Sequence, residues 1–138
     1  MRNPPYRTQF TLDQLLVTRT IPPCYDAKPE AVMPFIDTST LNVIERLPGW
    51  YGRYFHSPSM TFAHYEFTRG ASIHEHFHPQ EEVYEVIEGE VEVTIDGVAQ
   101  IARAGIVAIV PGNVRHSIKA LTDGRAIIVD YPLRPDVA

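Results

Sequence analysis

The sequence predicts an all-β domain, a sandwich or barrel of short antiparallel strands. Beyond residue 60 the chain alternates apolar and polar residues, or runs through β-branched ones, in short segments. Asp96-Gly97 favours a type I′ hairpin turn, because both central positions of that turn need positive φ. Further turns are marked by glycines at Gly70, Gly89, Gly105 and Gly124. Regular short strands with such turns are typical of a closed or two-sheet β architecture.

Eight strands are predicted in this part of the chain. In order they cover residues 60–68, 72–78, 82–88, 90–96, 98–103, 106–110, 115–120 and 125–131. The fourth has a clear inner face, because its apolar residues alternate with polar ones. If Glu82 points inward, Tyr84 and Val86 do so too, whereas Glu90 and Glu92 on the next strand face solvent.

The first of these strands carries large apolar groups on both faces. His64 shares one face with Phe62, and the opposite face carries Tyr65 and Phe67. Alternation leaves open which face lines the interior. His64 is therefore either a substrate contact or a histidine of the core or of an interface.

Residues 1–34 have a different composition from the rest of the chain. They contain six prolines around one short predicted helix at 11–17. We therefore expect an N-terminal arm at 1–33 that lies across the barrel or a neighbouring subunit. The remainder, 34–138, is expected to form one domain, since a chain of 138 residues suits a single core.

Composition and charge exclude several classes of partner. The formal net charge is −5 and no basic cluster is present, so nucleic acid is not an expected partner. No apolar stretch approaches the ~20 residues of a membrane span, and residues 1–20 lack the apolar region of a signal peptide. Cys24 is the single cysteine, which excludes an internal disulfide. These features predict a cytoplasmic protein.

The segment from Gly70 to Glu82 predicts a metal site. It places His74, His76 and His78 at alternating positions, with Glu82 shortly after them. In an extended strand, residues two apart share a face, so these rings can point the same way. Imidazole and carboxylate together suit first-row metals such as Fe, Mn, Ni, Cu or Zn. His116 is the candidate for a ligand from elsewhere in the chain.

Two spaced motifs in this region resemble the two signatures of the cupin superfamily. The first motif begins at Gly70, continues with His76-x-His78 and Glu82, and ends at Gly89. The second motif is carried by Gly105, Pro111 and His116. Fifteen residues separate the two, a spacer typical of small cupins. The sequence departs from the pattern at Asn113, where a second glycine is usual, and at Ala120, where an asparagine is usual.

The resemblance implies a double-stranded β-helix, or jelly roll, that holds one divalent transition metal per chain. The implied ligands are His76, His78, Glu82 and His116, with His74 at the rim or beside the ligands. The resemblance is weaker to the ketouronate-processing cupins of pectin degradation, which tend to have glutamine at the Glu82 position. Small cupins usually pair through sheet edges, where backbone groups are unpaired, so we also expect a homodimer.

The implied ligand set indicates two kinds of chemistry. Three histidines and one carboxylate leave two positions open on a six-coordinate ion, for oxygenation with a redox metal or for enolate stabilisation with any divalent ion. We expect an enzyme, a dioxygenase or an isomerase or lyase, that acts on a sugar acid, an enediol or a phenolic. Its candidate catalytic residues are Glu82, Tyr84 and His64. The alternative is a non-catalytic cupin that binds a sugar or metabolite, with a structural metal or none.

Overall fold

The fold consists of two antiparallel β-sheets that face each other. In this computed structural model, residues 35–137 are described. The predicted arm at 1–33, its helix at 11–17 and Cys24 lie outside the described residues. A short 3₁₀ helix at Thr38–Thr40 precedes the first strand, and the Asp37 carboxylate caps it by accepting a hydrogen bond from the Ser39 backbone N–H.

Ten strands follow this helix within the described residues. They are β1 (Ile44–Leu47), β2 (Trp50–His56), β3 (Thr61–Phe67), β4 (Ser72–His76), β5 (Glu81–Glu88), β6 (Glu90–Ile95), β7 (Val98–Arg103), β8 (Val107–Val110), β9 (His116–Ala120) and β10 (Gly124–Tyr131). One sheet has six strands in the order β1-β2-β3-β10-β5-β8, and the other has four in the order β4-β9-β6-β7. The predicted all-β jelly roll is confirmed.

The eight predicted strands occur within two residues of their predicted bounds, but β1 and β2 were not predicted. Strand β2 does not show simple alternation, because aromatic side chains stand on both of its faces. Trp50 and Gly52 are buried on one face, while Tyr51 and Phe55 are half-buried on the other. A glycine inside a strand also weakens the sequence signal for β structure.

The predicted hairpin between β6 and β7 has the expected geometry. Asp96 has φ +49° and Gly97 has φ +77°, and Ile95 pairs directly with Val98 across the turn. Positive φ at both central positions is the type I′ requirement. The dipeptide therefore sets the register of this pair of strands.

The core lies between the inner faces of the two sheets. Tyr84 and Val86 of β5 are buried as predicted, and Val91 and Val93 of β6 pack in the same cluster. The question left open for β3 is answered by the buried Phe67, which points inward together with Ala63 and Tyr65. The other face of β3, including His64, is therefore the outer one.

The β7 and β8 edges of the two sheets carry exposed aliphatic side chains. These side chains are Val98, Ile101, Ile106, Val107 and Ile109. Unpaired strand edges without charges favour pairing with another chain. The homodimer nevertheless stays a prediction.

Within residues 35–137, no helix has the length and apolar character needed to cross a bilayer.

The inner position of Phe67 can be checked by its contribution to stability. Phe67 is 2% exposed and packs at 5.1 Å between ring centroids against Trp50. We expect Phe67→Ala to lower the free energy of unfolding by about 3–5 kcal/mol, because the cavity it leaves adds to the lost burial. Urea titration followed by tryptophan fluorescence measures this loss.

The matched control is Phe77→Ala, because Phe77 is 56% exposed and lies under the Arg115 guanidinium in a cation–π arrangement. Its expected cost is about 1 kcal/mol or less. Equal losses in the two variants would show that the inner face of β3 has been assigned to the wrong side.

Candidate metal centre

Three histidines from the four-stranded sheet and the loop beside it converge on one point. His76 ends β4 and pairs in register with His116, which begins β9, while His78 follows β4 by two residues. The ring centroids lie 4.2 Å apart for His76 and His116, and 5.0 Å apart for His78 and His116. One ring nitrogen of each lies within 4.8 Å of the other two. This spacing fits three ligands of one metal ion.

The expectation that one strand carries all the clustered histidines is wrong for His78. Strand β4 ends at His76, and its pairing with β9 is already irregular between Ile73 and His76. Pro79 lacks the N–H that a ladder needs, so the chain turns away from the sheet before it. His78 consequently approaches the centre from a loop and is buried there.

The turn before β9 holds that loop in place. The Asn113 backbone N–H donates to the His78 carbonyl oxygen at 2.7 Å. Asn113 has φ +64°, a left-handed conformation that asparagine tolerates better than most residues. Gly112 approaches the Pro79 carbonyl so closely that a Cβ would clash with it. Asn113 thus adopts the left-handed conformation that the usual glycine of the cupin pattern would adopt. The replacement of this glycine by asparagine leaves the site intact.

Backbone carbonyls fix the tautomer of all three rings. The Nδ1 atoms of His76, His78 and His116 lie 2.8, 3.1 and 2.9 Å from the carbonyl oxygens of His74, Gln80 and Val114. A carbonyl only accepts, so each Nδ1 carries the proton. In the neutral rings each Nε2 is then left with a lone pair, the form in which imidazole binds a metal.

Glu82 points from the six-stranded sheet toward these lone pairs. Its Oε2 lies 3.3 Å from Nε2 of His78, and its Oε1 lies 3.9 Å from Nε2 of His116. Neither Nε2 has a hydrogen-bond partner, although both are buried. Acceptors that face one another without a donor are unfavourable, and a cation between them removes the conflict. The residues present therefore fit a bound divalent ion.

The electrostatics of His76 agree with this interpretation. Burial lowers the pKa of His76, and the neighbouring histidines lower it further, while its hydrogen bond to the His74 carbonyl and the Glu82 charge oppose the shift. The lowered pKa favours the neutral form of His76. A neutral ring is free to offer its lone pair to a metal without first losing a proton.

The centre opens onto a cavity of about 270 Å³ between the two sheets. His76 and Glu82 form part of its wall. Polar groups line the rest of the wall together with aliphatic side chains; they come from Arg46, Trp50, Tyr54, Tyr65, His74, Tyr84, Asp130 and Arg134. The hydroxyls of Tyr54 and Tyr65 are 2.7 Å apart and hydrogen-bond to each other. The wall of the cavity thus combines charged, polar and aromatic groups.

Tyr84, a candidate catalytic residue, lies in the wall of the cavity. The side chain is 1% exposed, lines the cavity, and its hydroxyl has no hydrogen-bond partner among the described residues. Burial raises the pKa of Tyr84, and the Glu82 charge raises it further, so the phenol stays protonated. Tyr84 is therefore a hydrogen-bond donor that faces the cavity without an assigned acceptor.

Comparison with known proteins agrees with the fold and with the motifs. The family model described as "Cupin domain" matches residues 63–132. This chain belongs to the cupin family. The match spans β3 through the start of the segment after β10, so it contains the three histidines, Glu82 and the strands that carry them. No curated protein sequence gives a significant match.

Solved cupin structures superpose on most of the domain. An RmlC-like cupin from Shewanella frigidimarina is 26% identical with a TM-score of 0.72, and the match covers 76% of this chain and 96% of that one. KdgF from Halomonas sp. is 24% identical with a TM-score of 0.71, at 75% and 97% coverage. An oxalate decarboxylase variant from Bacillus subtilis is 21% identical with a TM-score of 0.65; the match covers 70% of this chain but 29% of that one.

The structure of this cupin places His64 away from the site. His64 stands on the outer face of β3, where it contacts Phe55 edge to face at 5.3 Å between ring centroids. The strand alternates, so Ala63 and Tyr65 line the cavity and His64 cannot. The proposal of His64 as a catalytic residue is corrected on this geometry. His74 lines the cavity as an exposed rim residue, and its carbonyl orients the His76 ring.

Asp130 is a site residue of the cupin that sequence reasoning missed. It is 4% exposed, lines the cavity, and lies directly opposite Glu82 in the pairing of β10 with β5. Burial raises the pKa of Asp130 to about 6, with a further contribution from the Glu82 charge, against the opposing effect of Arg134. The sequence contains a pattern that indicates this position, because Asp130 continues the inward alternation of Ala126 and Ile128.

The assignment of the three histidines predicts that metal content depends on His116. We expect His116→Ala to weaken binding of a divalent ion more than about 100-fold, because loss of a direct ligand exceeds the effect of removing a supporting group. Elemental mass spectrometry on protein purified without an affinity tag should show about one ion per wild-type chain and almost none in the variant.

His74→Ala is the control for this experiment. It removes a neighbouring ring that belongs to no ligand group but keeps the backbone carbonyl that orients His76. Its metal content should equal that of the wild type. If His74→Ala loses the ion and His116→Ala keeps it, the ligand assignment is wrong.

Proposed function

We propose that this cupin is a metal-dependent enzyme that acts on a small, anionic, oxygen-rich metabolite such as a sugar acid. The reaction we propose is enolisation, as in an isomerase or lyase, with oxygenation by a dioxygenase as the second possibility for the same site. One observation carries the proposal. Three imidazoles, of which His78 and His116 are buried with unpartnered Nε2 atoms, meet Glu82 beside a cavity that also contains free donors and cationic side chains.

The cationic side chains favour an anionic ligand. Arg46 and Arg134 both line the cavity. The Arg134 side chain is largely buried, and its Nε atom has no partner among the described residues. Its terminal nitrogens lie 3.7 Å from Asp130 and 3.6 Å from Asp136, which leaves hydrogen-bonding capacity for a ligand. A guanidinium suits a carboxylate because two parallel N–H groups match its two oxygens.

The size and polarity of the cavity favour a small hydroxylated molecule. About 270 Å³ is below the ~300–1,000 Å³ of pockets that hold drug-sized ligands. Trp50 Nε1 and the Tyr84 hydroxyl are buried in its wall and have no hydrogen-bond partner within the described part of the chain. Donors left free in a buried wall are expected to bind ligand oxygens.

The chemistry is divided between the ligand residues and the cavity wall. The divalent ion that His76, His78, His116 and Glu82 would hold supplies Lewis acidity for an enolate or, if redox active, a site for O₂. Arg134 and Arg46 position the carboxylate of the substrate. The protonated Tyr84 phenol donates a hydrogen bond to a substrate oxygen on which negative charge develops.

A second candidate function is binding without turnover. Trp50 and Tyr65 meet edge to face at 5.8 Å between ring centroids and both line the cavity, an arrangement that suits the apolar face of a sugar ring. A binding protein, however, does not need a buried phenol without a partner and two buried carboxylates beside a metal site. The polar groups around the centre therefore favour the enzyme.

Solvent exchange tests for enolisation without knowledge of the product. Metal-loaded protein is incubated in D₂O with a panel of keto and aldehydo sugar acids, and proton NMR follows the hydrogen on the carbon next to the carbonyl. Loss of that signal, absent with metal-free protein, supports enolisation. Oxygen uptake by an electrode with the same panel and with enediols and phenolics tests oxygenation. Saturable binding with neither activity would support the binding protein.

A substitution of Arg134 tests whether this side chain binds the carboxylate of the substrate. We expect Arg134→Gln to lower kcat/KM for the active sugar acid about 10- to 100-fold, since a hydrogen bond to a charged group contributes about 1.5–3 kcal/mol. The loss should be much smaller for the corresponding neutral sugar. The rates of solvent exchange, measured by NMR, give kcat/KM for the sugar acid and for the neutral sugar.

Arg125→Gln is the matched control, because Arg125 pairs with Glu88 on the surface at 3.1 Å and lines no part of this cavity. It should leave both rates unchanged. If Arg134→Gln slows the neutral and the anionic substrate equally, Arg134 supports the fold or the centre rather than the carboxylate.

A further inference from the structure

Within residues 35–137, Asp130 is the buried carboxylate that neither cupin motif supplies. Strand pairing sets Asp130 of β10 directly opposite Glu82 of β5, and both side chains point inward. A carboxylate oxygen of each and a ring nitrogen of His78 all lie within 4.8 Å of one another. His78 thus belongs to two groups of possible ligands, one with the other histidines and one with the two carboxylates.

Two neighbours of the Asp130 carboxylate are hydrogen-bond acceptors, although a buried carboxylate needs donors. Its Oδ1 atom is buried without a hydrogen-bond partner in the described part of the chain. Arg134 lies 3.7 Å from the other oxygen, too far for a good hydrogen bond. Glu82 is an acceptor, and Nε2 of His78 is one too because the His78 proton is on Nδ1. Arg134 compensates this buried carboxylate only in part, and a cation bound directly to the carboxylate would remove the remaining cost.

We infer that Asp130 is a further ligand of the metal ion, so that the centre combines three imidazoles with two carboxylates. The inference rests on the proposed function, because it presupposes a divalent ion at the three histidines. Two carboxylates neutralise the charge of such an ion within the centre itself. They also leave one position of a six-coordinate ion for a substrate oxygen, where the motif ligands alone leave two.

A second carboxylate changes which ions the centre favours. Carboxylate oxygens suit Mn(II) better than they suit softer ions, while imidazole suits most first-row metals. Asp130 should therefore contribute more to the affinity for Mn(II) than to that for Cu(II), which binds strongly to nitrogen ligands. Mn(II) is accordingly the ion with which Asp130 is best tested.

The test compares Asp130→Asn with Asp136→Asn in full-length protein that has been stripped with a chelator. Asparagine keeps the shape of aspartate and can donate a hydrogen bond, but it loses the anionic ligand. Asp136 is a matched control, because its exposed carboxylate lies 3.6 Å from the other side of Arg134. Calorimetry gives the Mn(II) affinity, and the visible absorption of Co(II)-loaded protein reports the number and type of ligands.

We expect Asp130→Asn to weaken Mn(II) binding at least about 10-fold and to change the Co(II) absorption bands. Asp136→Asn should change neither measurement. If Asp130 instead carries a proton that it shares with Glu82, asparagine is a close substitute, and unchanged affinity and absorption in Asp130→Asn would overturn the inference. Equal losses in both variants would overturn it too, because they would indicate general charge rather than ligation.

Failure of this inference is distinguishable from failure of the proposed function. Wild-type protein that binds neither Mn(II) nor Co(II) contradicts both. Wild-type protein that binds these ions as tightly as Asp130→Asn contradicts only the role of Asp130. Should Asp130→Asn fold poorly by circular dichroism, Asp130→Ser, which keeps an oxygen but no charge, gives the same comparison.

Discussion

The site depends on the register of antiparallel pairing in the six-stranded sheet. Thr61, Asp130, Glu82 and Val110 form one inward-facing row across β3, β10, β5 and β8. Side chains alternate between the two faces of a strand, so a slip of one residue in any of these pairs would turn its member of the row to the outer face. The row sets two carboxylates side by side in the interior. The four-stranded sheet and its loop place the lone pairs of three histidines opposite these carboxylates. Both sets consist of hydrogen-bond acceptors, so each needs a cation between them.

The parts of the site that the sequence predicted are those whose chemistry is local. His76, His78 and Glu82 lie within seven residues of one another. Their types and spacing indicate a metal site without any knowledge of long-range pairing. His116 needed the second motif, and the structure pairs it directly with His76. Strand geometry likewise predicted that Tyr84 and Val86 point inward once Glu82 does, because residues two apart share a face of a strand.

The parts that were not predicted depend on contacts between distant strands. His64 was a candidate because a histidine that faces the cavity could contact the substrate. Both faces of β3 carry aromatic residues, so alternation does not show which face is inside. Only the packing of the sheets shows that Tyr65 lines the cavity. Asp130 is distant from every motif residue in the sequence and becomes a neighbour of Glu82 only when β10 pairs with β5. Arg134 follows from the same pairing, since its backbone N–H donates to Thr61 Oγ1 at 2.9 Å.

The charges of the cavity connect metal binding with substrate binding. Without an ion, Glu82 and Asp130 present two carboxyl groups to the same small space, and they would repel an anionic substrate despite the arginines on the wall. With a divalent ion the carboxylates are neutralised, and the charge of Arg46 and Arg134 is left for the substrate. Under the proposed function, loading of the metal therefore precedes tight binding of a sugar acid. The two proposals together account for a cavity that holds both buried acids and unpaired donors, because they assign the acids to the ion and the donors to the substrate.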